Sequence, residues 1–150
     1  MTHLEVISLD DAKDYLGVDD TSRDTEINRM IKSAISYVEK HTQHHLVEKT
    51  KTYGTQTGCI RVYDYPIVST DNTTHSVDVK NGYSVYNNYS VNSIDLVLGY
   101  NTLDDVPSEL VEAAYILIKF FFYEQDKMEE KGRVPFVVEQ ILESYKRFLI

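Results

Sequence analysis

Three histidines within five residues, His41, His44 and His45, form the densest group of potential metal ligands in the chain. His41 and His45 are four apart, so a continuous helix would set both rings on one face, as zinc-binding pairs are set. No glutamate follows the first histidine as in a zincin helix, and no third ligand is evident. Histidines near a helix C-terminus also interact well with the helix dipole. They are therefore read as helix-end residues, and no metal or other cofactor is expected. The run Asp19-Asp20-Thr21-Ser22-Arg23-Asp24 has the composition of a calcium loop but lacks its D-x-D-x-D-G spacing and closing glutamate. It is read as a capping turn. Cys59, the single cysteine, has no assignable histidine partner and is read as a buried, inert thiol. There is no G-x-S-x-G, no phosphate-cradling glycine loop and no carboxylate pair set in apolar surroundings. No residue is therefore a catalytic candidate, and no enzyme activity is expected.

The tyrosines are the other unusual group: twelve of them, with no tryptophan. Seven lie in the middle of the chain, at Tyr53, Tyr63, Tyr65, Tyr83, Tyr86, Tyr89 and Tyr100. Tyrosine carries a large apolar area with a polar tip, which suits partly wet interfaces. Cross-strand aromatic packing explains the same residues, and so does a carbohydrate-binding face. Tyr83, Tyr86 and Tyr89 are the interface candidates of this segment. A Tyr-rich glycan- or protein-binding module of a phage or bacterial surface assembly is accordingly the rival to a structural role.

The elements that must position these residues fall into three parts. Residues 1–47 read as helical: a short helix capped by Ser8, with Leu9, Ala12 and Leu16 on one face and Gly17 as its stop. A longer helix begins near Asp24 or Thr25, with Ile27, Met30, Ile31, Ala34, Ile35 and Val38 at a 3.6-residue period. It is expected to fade between His41 and His45. Residues 48–105 are rich in Gly, Asn, Thr, Val and Tyr and read as a β-rich hairpin insertion. Strands are expected at 49–55, 59–65, 76–80, 83–86 and 93–98, with turns at Gln56-Thr57-Gly58 and Asn81-Gly82 and a loop at 70–74. Residues 106–150 are helical again. Pro107 opens a helix from Ser108 to about Asp126 that is apolar on nearly every side, with Leu110, Ala114, Leu117, Phe121 and Phe122 in the core or between subunits. A charged loop, 126–132, precedes a last helix from Pro135 with Phe136, Val137, Ile141, Leu142, Tyr145, Phe148 and Leu149 on its apolar side. The fold class is α+β, mainly α: a bundle of about four helices, one domain over residues 1–150, with the β-rich insertion in mid-chain.

The chain has 150 residues and a formal charge of −9, a size that needs neither disulfides nor metal to fold. An acidic chain gains nothing by counterion release, so sequence-specific DNA binding is not expected. Residues 1–30 hold eight of the Asp and Glu residues against Lys13, Arg23 and Arg29, read as a solvated acidic surface. The N-terminus shows no signal peptide, and no apolar run is long enough to span a membrane.

Four stretches together resemble the head–tail connector (adaptor) family of tailed phages. They are residues 7–16 (Ile7-Ser8-Leu9-Asp10 onward) with Val18-Asp19; residues 34–42 (Ala34-Ile35-Ser36-Tyr37 onward); Val106-Pro107-Ser108-Glu109-Leu110 with Ala113-Ala114 and Phe121-Phe122-Tyr123-Glu124; and Val134-Pro135-Phe136-Val137-Val138 leading to Leu142 and Tyr145-Lys146-Arg147. The middle segment is longer than a minimal member would have. The resemblance implies a structural protein of the virion neck, present in the host cytoplasm during assembly. Its subunits would form a ring, typically of twelve copies, that joins the portal protein to the next neck or tail protein. DNA would pass through the channel without sequence-specific binding, and acid lining that channel would let it slide. Phe136, Tyr145, Lys146, Arg147, Phe148, Leu149 and Ile150 are the expected portal-docking residues, because they end the chain on an apolar surface that a lone monomer would hide.

Overall fold

The computed structural model describes residues 1–54, 59–70, 76–80, 83–87, 93–124 and 134–147. It is mainly helical, with a β unit in mid-chain. A one-turn helix α1 (His3–Val6), absent from the sequence expectation, precedes α2 (Leu9–Leu16). The Ser8 hydroxyl caps α2 by accepting from the Asp11 N–H at 3.1 Å. Gly17 ends it in the left-handed region at φ 71°, which a side chain would disfavour. The acidic turn closes on itself, the Asp20 carboxylate accepting from the Ser22 N–H at 2.8 Å, but it does not cap the next helix, whose N-cap residue, Arg23, makes no side-chain capping bond.

Helix α3 (Asp24–Thr42) buries all six residues of its predicted stripe. Helix α4 (Ser108–Tyr123) lies against it and buries Leu110, Ala113, Ala114, Leu117 and Ile118. Phe121 and Phe122 pack at the margin of the same core. The Arg23 guanidinium lies 3.9 Å above the Phe122 ring and pairs with Glu26. Burial accounts for part of the apolar excess of α4: Leu110, Leu117 and Ile118 are fully buried and contribute about 1.5–3 kcal/mol each, whereas Ile116 and Phe120 stay partly open. Helix α5 (Phe136–Tyr145) closes the bundle with Val138 and Leu142 inward. This corrects the expected apolar side: Phe136 points away, 70% exposed, and Val137 is 48% exposed. No described helix is long and apolar enough to cross a membrane.

The β unit holds six strands among the described residues: β1 (Lys49–Gly54), β2 (Cys59–Val62), β3 (Ile67–Thr70), β4 (Ser76–Lys80), β5 (Tyr83–Asn87) and β6 (Ser93–Leu98). They form two antiparallel sheets, in the orders β1-β6-β3 and β2-β5-β4. Ile60, Val62, Tyr86, Ile94, Leu96 and Leu98 make a second core, separate from the helical one. The expected β1–β2 hairpin is not formed; β1 pairs with β6, from Gly54 opposite Ser93 to Lys49 opposite Leu98, because alternation along Ser93–Leu98 buries Ile94, Leu96 and Leu98 and makes β6 a central strand. Strand β3 lies where the sequence carries no strand signal, its last residue, Thr70, falling in the expected loop. Strands β4 and β5 pair as expected, with Lys80 opposite Tyr83. The turns at 56–58 and 81–82, the loops at 71–74 and 126–132, and Tyr89 lie outside the described residues.

Candidate interaction surfaces

Helix α3 ends at Thr42, with Gln43 in the left-handed region at φ 62°. His41 and His45 are therefore not on one helical face, and the three histidines turn to three different partners. His41 stacks on Tyr37 at 3.9 Å. His44 Nδ1 is 2.9 Å from the Tyr100 hydroxyl, and His45 Nε2 is 2.6 Å from Asp64 Oδ1. Among the described residues, no three His, Cys, Asp or Glu side chains gather around a possible metal position.

Residues 43–48 instead form the seam between the two cores. The Leu46 and Val47 N–H groups donate to Glu39 Oε1 at 2.8 and 2.9 Å. The His45 N–H donates to the Tyr65 carbonyl at 2.7 Å, and the Tyr65 N–H to the Gln43 carbonyl at 2.9 Å. Gly99 runs close beside this linker: a Cβ there would lie 2.9 Å from both Glu48 Cα and the Val47 oxygen. The Asp64 carboxylate, 5% exposed, accepts from His45, from Lys51 Nζ at 2.8 Å and from the Tyr53 hydroxyl. Burial alone would raise its pKa, but these donors outweigh it and hold the carboxyl well below the usual range. Burial and the Asp64 charge together push the Tyr53 phenol up. His45 needs only an Nε2 proton to donate to Asp64, which leaves its buried Nδ1 without a hydrogen-bond partner among the described residues. The His45–Asp64 pair, 19 residues apart, and the capping role of Glu39 carry no signal in one sequence.

The expected interface residues divide. Tyr86, 2% exposed, belongs to the β core, which corrects the expectation of an interface role for it: its position in β5 turns it inward. Tyr83 lies in β5, and Phe148, Leu149 and Ile150 lie outside the described residues. Tyr145 and Arg147 fold back onto the seam, where Arg147 sits 4.8 Å above the Tyr65 ring. Lys146 pairs with Glu143 at 3.1 Å. Leu110, Ala114 and Leu117 are fully buried within the chain.

Among the described residues, the most exposed large apolar side chains lie at the opposite end of α5 and the nearby end of α4. Ile116, Phe120, Tyr123, Val134 and Pro135 line a groove of about 510 Å³, with Lys119 and Glu124 as its charged groups. Tyr123 is 59% exposed on its rim, although its hydroxyl donates to the Leu16 carbonyl at 2.6 Å. Phe136 and Val137 follow directly after Pro135.

Comparison with known proteins gives three findings. Residues 6–103 match the family described as phage gp6-like head-tail connector protein. A chain from the virion of a native gene transfer agent particle superposes with a TM-score of 0.75 at 12% identity, covering 100% of this chain and 94% of that one. A chain from the neck of an empty gene transfer agent particle, computed with C6 symmetry, superposes with a TM-score of 0.72 at 12% identity, covering 97% and 91%. No curated protein matches the chain by sequence.

Proposed function

Because the chain belongs to the phage gp6-like head-tail connector family, we propose that it is a structural, non-enzymatic protein of the virion neck. Copies stand side by side in a ring between the portal protein and the next neck or tail protein, and the ring extends the channel through which DNA passes. The family match carries this reading, and the fold shared along nearly all of a gene transfer agent neck chain supports it. Twelve copies is the number that fits a portal-matched ring. A net charge of −9 suits a channel wall that DNA slides past.

Contacts between copies, or with the portal, use the surface that the chain leaves uncovered: Phe136, Val137 and Tyr123 beside the groove. A ring contact is heterologous, joining two different faces of one subunit, so the groove meets a different face of its neighbour. Most of the described middle-segment tyrosines are engaged in packing or hydrogen bonds (Tyr53, Tyr86 and Tyr100 among them), and the glycan-binding reading gains no support from them. Cryo-electron microscopy of the virion neck tests the proposal. The expected result is a ring of this fold directly beneath the portal; finding the fold at another position in the particle, or in no ring, overturns it.

A further inference from the structure

The turn after α5 crosses the seam between the two cores. The Arg147 N–H donates to the Thr42 carbonyl at 3.3 Å, and its guanidinium covers one face of Tyr65. The Tyr145 ring stands edge-on to His44 at 5.8 Å, and its hydroxyl donates to Glu109 at 3.0 Å. His44 meets Tyr65 edge-on at 5.1 Å and bonds Tyr100. One imidazole thus joins residue 65, residue 100 and the end of α5. Tyr65 and Tyr100 also line a separate cavity of about 430 Å³ with Pro66, Val68, Asn101 and Asp105. The last fully anchored residue of α5 is Leu142, 4% exposed. Residues 145–147 can therefore lift by unwinding a final turn, at the cost of the contact that Tyr145 makes at the margin of the helical core.

We propose that residues 145–147 form a releasable strap, which when closed clamps the β unit to the helices through His44 and Tyr65, and when open frees the Tyr65–Tyr100 wall of the cavity. Tyr65, which Arg147 covers, is also a wall of the cavity, and Tyr100, the other wall, reaches the strap through His44, so filling the cavity acts on the strap. The device belongs to the single chain and does not depend on the neck assignment. Acid is a trigger. Burial first, then the charges of Arg147 and His45, pull the His44 imidazole down to about 4. The groups facing it are Arg147 and Tyr145 from the end of α5, Tyr65 ahead of β3, Tyr100 after β6 and His45 beside it. Asp64 acts on Arg147 from within the seam, and Glu109 holds Tyr145 from α4. A proton on His44 sets a second cation beside Arg147, and among the described residues no carboxylate lies against the imidazole, so the closed strap weakens as pH falls.

Amide hydrogen exchange on the full chain tests this. Arg147→Ala should speed exchange of the His45 and Tyr65 amides, which donate across the seam, by about tenfold or more. The α3 amides should be unchanged, and the Phe136→Ala control should change neither set. Seam amides within about twofold of the parent, or α3 accelerated equally, overturn the strap. Nuclear magnetic resonance of the unmodified chain gives a second reading that does not depend on the variant folding. The Tyr65 and Tyr145 ring signals should move with the same midpoint as His44. Rings that stay fixed while His44 titrates overturn the proposal.

Discussion

Two single residues hold the seam by different physics, and each predicts a different cost. Asp64 is a buried anion with three donors, so removing it leaves the His45 and Tyr53 donors buried without an acceptor. Asp64→Ala should destabilise the chain by about 3–5 kcal/mol, read by urea unfolding near neutral pH, with Asp64→Asn milder because one acceptor oxygen remains. A loss under about 1 kcal/mol would mean that the pair behaves as a solvent-exposed ion pair. The pH dependence has a definite sign. The Asp64 carboxyl titrates below its ordinary value, so its contribution is complete above the unfolded carboxylate range and is lost only as pH falls below it. His44, also depressed, acts earlier: the unfolded chain takes up its proton first, and stability declines from about pH 6.5 down to about 4. Gly99 is held by space and conformation together, at φ 118° with backbone atoms of Val47 and Glu48 where a Cβ would go. Gly99→Ala should cost about 1–3 kcal/mol, whereas a surface alanine substitution changes stability by no more than about 0.5 kcal/mol. An unfolding midpoint equal to the parent's would show that this close approach is absent in solution.

At the scale of elements, the helices follow from local chemistry and the sheets do not. Ser8 caps α2 and Gly17 stops it, and both roles are readable because each depends on one residue type at one offset. Ser8→Ala should cost about 0.5–2 kcal/mol, with the loss of helical signal confined to the first turn of α2; no change in unfolding midpoint would mean that packing of Ala12 and Leu16 alone holds the helix. The stripe from Ile27 to Val38 was legible for the same reason, since a 3.6-residue period needs no knowledge of the partner. Strand pairing has no such local record. The alternation of Ser93–Leu98 marked a strand but did not reveal that β1 and β3 flank it, so β1 and β2, neighbours in sequence, were wrongly joined as a hairpin. The single apolar side expected of α5 divides because Phe136, Val137 and Val138 are all apolar, and periodicity cannot say which of three adjacent residues turns in. The seam was invisible: its bonds join residues 19 and 56 apart, and neither pair has a motif.

The whole molecule is two cores joined by a polar seam, with its open apolar surface at one end of the bundle. That layout separates residues that serve the fold from residues available for assembly, and the separation can be measured. Leu142, inward on α5, serves the fold, and Leu142→Ala should cost about 2–5 kcal/mol. Phe136 and Val137, at the start of the same helix and open to solvent, add little to the stability of a single copy. The pair Phe136→Ser and Val137→Ser should leave urea unfolding within about 0.5 kcal/mol of the parent. If these side chains are covered in the ring, burying each one contributes about 1.5–3 kcal/mol per contact, which is about ten- to a hundredfold in each association constant. The effect multiplies around a closed ring, because every subunit presents the same face and closure needs every contact. Sedimentation or light scattering with portal protein present should therefore show assembly lost while the monomer stays folded. Assembly at the parent's concentration would place the contacts elsewhere on the molecule. A variant that fails both to assemble and to fold would put Phe136 and Val137 in the core, against their exposure of 70% and 48%.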